Sequence, residues 1–144
     1  MVATVAEVTV DRGTGAVRVD RLTVAYDCGL IINPDGLRRC VENAAVYATS
    51  RALCEEVMFS PAAVTSVDWL SYPILDITEA PHDVQVVLIS RPEAPPTGAG
   101  EPAVRSIAAA VGNAVFDATG VRMRQGPFTP RRVKAALSPS YSAC

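Results

Sequence analysis

The spacing of apolar residues changes along this chain, and that change limits its fold more than any other feature. Near the start, apolar and polar positions alternate, as in Glu7-Val8-Thr9-Val10-Asp11 and Val17-Arg18-Val19-Asp20. A period of two puts one face of an extended strand on a core and the other in water. Arg12-Gly13-Thr14-Gly15 between them is a turn signal, because glycine tolerates positive φ. The apolar phase then slips, from Val17 and Val19 to Leu22 and Val24, which predicts a bulge near Asp20-Arg21. Residues 5–27 thus predict an antiparallel hairpin with a long second strand.

After Asp27-Cys28-Gly29 and the helix-start signal Asn33-Pro34-Asp35-Gly36, the period becomes three to four. Leu37, Val41, Ala44, Ala48 and Ala52 form one face of a helix predicted to run to about Val57. Ser60-Pro61 ends it, and Val64–Leu70 and Val84–Ile89 then read as strands. Arg91–Gly100 is a shaped loop rich in proline and glycine. Pro102 opens a second helix whose core face is Val104, Ile107, Ala108, Val111, Val115 and Ala118, with alanines elsewhere that predict burial nearly all round. Thr129-Pro130 starts a short third helix to Leu137. The prediction is an α+β domain over residues 1–137, a hairpin and short strands packed with two long helices and a short C-terminal one. A flexible tail is expected at 138–144.

Composition removes several function classes. The 144 residues fit one domain, and 49% hydrophobic against 19% charged excludes a disordered or coiled-coil chain. A net charge of −2 predicts no nucleic-acid partner. The longest charge-free stretches, Val57–Val67 and Ser106–Phe116, are eleven residues each, short of the ~20 apolar residues of a membrane span. The N-terminus has neither a basic start nor a long apolar run, so a cytoplasmic location is expected. Reduced, buried thiols follow for Cys28, Cys40, Cys54 and Cys144. No Cys or His spacing suits a metal. His82, the one histidine, sits in the turn-like Ala80-Pro81-His82-Asp83 and reads as a surface residue.

The chemically informative stretch is Thr97-Gly98-Ala99-Gly100-Glu101-Pro102. Two glycines let a bulky ligand approach the backbone, and a carboxylate follows at the mouth of a helix. The helix N-terminus favours the ionised form, so a partly buried Glu101 is a candidate general base. A plain helix start reads the same way. The glycines match neither a dinucleotide fingerprint nor a phosphate loop, and no nucleophile elbow is present.

Several segments in order resemble the C-terminal part of the large, molybdenum-cofactor-binding subunit of the xanthine dehydrogenase/aldehyde oxidase family. They are Val5-Ala6-Glu7-Val8 with its hairpin, Val24–Gly29 with Asn33-Pro34-Asp35, Ala52–Val57, Ser71–Leu75, Glu79-Ala80-Pro81, Gly98–Pro102 and Ala114–Gly120. The resemblance covers about residues 5–137 and implies the fold of that family's molybdopterin-binding domain. It implies Glu101 as base to the molybdenum-bound hydroxyl during oxidation of an aldehyde or N-heterocycle with water-derived oxygen. Gly98, Ala99 and Gly100 would then lie against a molybdenum–pyranopterin cofactor, with electrons leaving through iron–sulfur clusters on a partner subunit. The chain departs from the family where a helix usually opens Gln-x-Glu-Gly-Gly. Here the run is Cys40-Val41-Glu42-Asn43-Ala44, so a thiol, a weak donor, replaces the pterin-contacting amide. Cys40 is either a substitute contact or a buried structural thiol. Family subunits are several times longer, so this chain is expected to be a terminal piece that docks on the upstream part of the subunit and exposes apolar surface alone. The competing expectation is a non-catalytic module that keeps the fold without cofactor.

Overall fold

The computed structural model describes residues 1–138. Strands β1 (Val2–Val10) and β2 (Val17–Tyr26) form the antiparallel hairpin. Its register slips where Arg21 pairs Glu7 but Val19 pairs Val8, so Asp20 is the extra residue and the predicted bulge is present. The turn is built by Asp11, whose Oδ1 accepts the amides of Gly13 (2.7 Å) and Thr14 (3.2 Å). A Cβ on Gly15, at φ +81°, would lie 2.1 Å from the Pro130 carbonyl oxygen, so only glycine fits beneath the third helix.

β3 (Asp83–Leu88) joins β2 in parallel, giving a sheet of order β1-β2-β3. Helices α1 (Pro34–Leu53) and α2 (Glu101–Thr119) cover one face, and α3 (Pro130–Leu137) closes the hairpin end. Val19, Leu22, Val24 and Tyr26 of β2 point inward and are almost wholly buried. They divide the core in two. Val19 and Leu22 pack with Ala45, Ala48, Ile107, Val111 and Val115. Val24 and Tyr26 pack with Leu37, Val41, Ala44, Val86 and Ala103. The buried alanines of α1, Ala44, Ala45, Ala48 and Ala52, put little bulk between it and its neighbours. The Thr4 and Ser106 hydroxyls, 2.7 Å apart, pin the first half of α2 to β1. Arg12 reaches the Ala118 and Thr119 carbonyls at its far end.

Four expectations need correction. α1 stops at Leu53 rather than near Val57. The Glu55 amide turns back to the Ser50 carbonyl, while Tyr72 donates to Glu55 and Arg132 to Glu56, so tertiary bonds outcompete the last helical turn. Val64–Leu70 is not a strand, and among the described residues an isolated Phe59–Val64 bridge is all the pairing in that segment. Asp68 Oδ1 accepts the Leu70 and Ser71 amides and bends the chain there. α2 is not buried all round: Ala108, Ala109 and Ala118 are exposed, because the sheet and α1 cover one side of it only. Cys40 is exposed rather than buried, while Cys28 is buried and Cys54 half-buried, all three free thiols. The tail expectation beyond Ser138, and Cys144 with it, lie outside the described residues.

Candidate active site

β2 and β3 run parallel, so both end on the same side of the sheet, at Tyr26 and Leu88. There the Asp27-Cys28-Gly29 corner meets the proline-rich loop that leads into α2. The corner is self-braced: Asp27, a buried carboxylate, accepts the Gly29 amide at 3.0 Å. Its other oxygen stands 3.5 Å from Arg91 Nε. Gly29 adopts φ +79°, and a Cβ there would fall 2.2 Å from the Pro95 carbonyl oxygen. The loop therefore runs directly over this glycine.

Two backbone bonds lace loop to corner. The Leu30 amide donates to Ala94 and the Thr97 amide to Cys28, each at 2.9 Å. A third tie comes from a side chain. The Tyr26 hydroxyl, at the end of a ring only 1% exposed, donates to the Gly98 carbonyl at 3.3 Å. Burial, chiefly, with the Cys28 and Glu101 charges, pushes this hydroxyl up from its ordinary value, and the Gly100 amide works against them.

Gly98 and Gly100 both take φ +95°, and among the described residues a Cβ on either would meet no atom within 4 Å beyond its chain neighbours. The arc thus presents bare backbone to open space. That is the geometry a flat, bulky group needs to lie against the main chain. Gly100 caps α2, its carbonyl accepting the Ala103 amide at 3.0 Å, and Glu101 is the first helical residue. Its carboxylate is exposed rather than partly buried, pointing away from the core that Ala103 and Ile107 enter.

Of the predicted site residues, Gly98, Ala99, Gly100 and Glu101 form one continuous arc. Cys40 lies on the exposed side of α1, and its thiol makes no hydrogen bond among the described residues. The two positions where the family has glycines diverge: Asn43 is exposed, whereas Ala44 is buried in the core. His82 precedes β3, so it stands at the opposite end of that six-residue strand from the loop, roughly 20 Å along the sheet. It cannot act with Glu101. Among the described residues no three His, Cys, Asp or Glu side chains gather at a metal-binding spacing. Sequence reasoning missed Tyr26, Arg91 and Asp27 as supports. The one available signal was the polar pair Tyr26-Asp27 closing the uncharged run Leu22–Ala25.

The model of the molybdopterin cofactor-binding domain matches residues 1–81. A subunit of nicotinate dehydrogenase from Pseudomonas putida is 45% identical over 135 residues, 94% of this chain. The chain belongs to the molybdopterin cofactor-binding domain family, that of the xanthine dehydrogenases and aldehyde oxidases. Among solved members, quinoline 2-oxidoreductase from Pseudomonas putida superimposes with a TM-score of 0.81 at 29% identity over 90% of this chain. The aldehyde oxidoreductase of Desulfovibrio gigas gives 0.80 at 30% identity over 92%. The α+β architecture is that of the family's cofactor-binding domain. The chain spans only 11% of the nicotinate enzyme's subunit, 17% of the quinoline enzyme's chain and 15% of the aldehyde enzyme's. The Gly98–Glu101 arc lies beyond the residues that the domain model matches, but within the length covered by these relatives.

Proposed function

We propose that this chain supplies the base-bearing segment of a molybdenum hydroxylase that oxidises an aldehyde or N-heterocycle with oxygen derived from water. The observation that carries the reading is the arc itself. Two glycines at positive φ face open space, and a solvent-accessible carboxylate follows them at the head of a 19-residue helix. Gly98, Ala99 and Gly100 would lie along the molybdenum–pyranopterin group, their lack of bulk allowing close approach. When bound, that group supplies the two-electron redox chemistry and activates water at the metal. Glu101 accepts the proton that the activated water gives up. A placed base of this kind contributes typically 10²–10⁴-fold.

The same reading assigns the chain partners. From Val57 to Ile77 every large apolar side chain except Tyr72 and Leu75 is more than half exposed, with Trp69 at 76% and Leu70 at 94%. An apolar stretch of that extent is covered in a working protein. We assign its cover to the remainder of the cofactor-binding subunit, joined to this chain or separately encoded, with an iron–sulfur subunit carrying electrons away.

One observation favours a second reading. Cys40 stands where the family places an amide, and Ala44, at a glycine position, is turned into the core. A module that keeps the fold without cofactor would look like this. Co-expression with the rest of the subunit decides between them. Bound molybdenum and turnover that Glu101→Gln abolishes support the hydroxylase, whereas a complex that binds no molybdenum supports the module.

A further inference from the structure

We infer that Tyr26 is a positioning residue for Glu101, because its hydroxyl holds the Gly98–Gly100 arc from the inner side. The inference rests on the reading of Glu101 as the base. The Tyr26 ring sits in the core among Val24, Leu37, Val41 and Ala103, where a phenylalanine would fill the same space. The hydroxyl is therefore the part without a packing role, and a buried hydroxyl needs a partner. It finds one in the loop, donating to the Gly98 carbonyl at 3.3 Å.

Among the described residues no other hydrogen bond holds the arc at Gly98; the next is from the Ala103 amide to the Gly100 carbonyl. The two backbone ties to the corner act at Ala94 and Thr97, before the first glycine. On the outer side, no atom of the described residues other than the chain neighbours lies within 4 Å of a Cβ at Gly98 or Gly100. Glu101 makes no side-chain hydrogen bond among the described residues and is exposed. Two glycines separated by one alanine have wide backbone freedom. The body of α2 is held on β1 by packing and by the Thr4–Ser106 pair; the Tyr26 contact fixes the path by which the arc enters its first turn, where Glu101 stands. Small errors in such placement cost a reaction far more than they cost stability.

Tyr26→Phe keeps the ring and removes the tie. In the full chain, amide hydrogen exchange over residues 97–103 should quicken about two- to tenfold, the effect of one neutral hydrogen bond. Exchange in β2 and α1 should stay as it was. In the complex assembled with the rest of the subunit, molybdenum content and KM should hold while kcat falls roughly ten- to a hundredfold. Unchanged exchange over 97–103, or loss of the fold in Tyr26→Phe, overturns the inference whether or not cofactor binds. Faster exchange with full kcat, in a complex that Glu101→Gln inactivates, also overturns it. If Glu101→Gln retains turnover while exchange quickens, the loop anchor stands and the reading of Glu101 as base fails instead.

Discussion

Replacing Gly29 by alanine tests whether the corner and the loop form one unit. Gly29 sits at φ +79°, where an L side chain costs roughly 1–2 kcal/mol. The added Cβ would also fall 2.2 Å from the Pro95 carbonyl oxygen and 3.0 Å from that of Ala94. Both atoms are backbone, so the loop has to lift. Lifting it breaks the Leu30–Ala94 and Cys28–Thr97 bonds, each worth about 1 kcal/mol net. The sum is about 3–4 kcal/mol, or roughly 10 °C in Tm for a chain of this size. Gly98→Ala is the matched control, with positive φ but open space around the new Cβ. It should cost only the backbone strain, about 1–2 kcal/mol. Urea denaturation of the two variants beside the parent chain measures both. Gly29→Ala should be the less stable by about 2 kcal/mol, the worth of the two broken bonds. Equal losses, or a Gly29→Ala loss below about 1 kcal/mol, the cost of one turn residue out of place, would refute the coupling of corner and loop.

Further outcomes follow from other parts of the structure. The Arg132 guanidinium, 2.7 Å from Glu56, holds that carboxyl below its usual 4.5, chiefly through the hydrogen bond. Its stabilisation is fully present above the unfolded pKa and is lost as pH falls through the folded value. Denaturation midpoints of the parent should therefore drop more steeply than those of Glu56→Gln below about pH 5; parallel curves would remove Glu56 from the acid response. Trp69 is the one tryptophan and is 76% exposed, so its fluorescence should be readily quenched by iodide in the free chain and protected on assembly with the rest of the subunit. Protection already present in the free chain would mean that the Val57–Ile77 stretch folds back on itself. Leu22→Ala empties a fully buried site between the sheet and the helices, and thermal unfolding should show a loss of about 2–5 kcal/mol.

The elements that were legible in the sequence are those whose pattern and surroundings agree. The hairpin, its bulge at Asp20 and the three helices follow from periodicity and caps, and the inward residues of β2 are the ones the phase slip selects. Val64–Leu70 has strand-like composition, yet among the described residues no strand pairs with it, and β-propensity without a partner fixes little. The α1 terminus depends on Tyr72 and Arg132, which are remote in sequence and invisible to a local pattern. The alanines of α2 are apolar enough to bury on any side, so their exposed face could only be learned from what packs on the helix. In the site, the order Gly98-Ala99-Gly100-Glu101 marked the arc, but the exposure of Cys40 was not legible, because helical position alone does not say which flank a neighbour covers. Tyr26 was hidden by its apolar surroundings. It ends β2, and its hydroxyl gains meaning only once the loop is seen to pass above it.

We assign Glu101 as the base of a molybdenum hydroxylase site to which this chain contributes. Its most direct test is the rate of single-turnover reduction by substrate in the assembled complex, measured with the molybdenum content, for the parent and Glu101→Gln. Equal molybdenum in the two and a rate at least about 10²-fold lower in the variant are expected. Equal rates at equal molybdenum content would show that Glu101 only starts a helix.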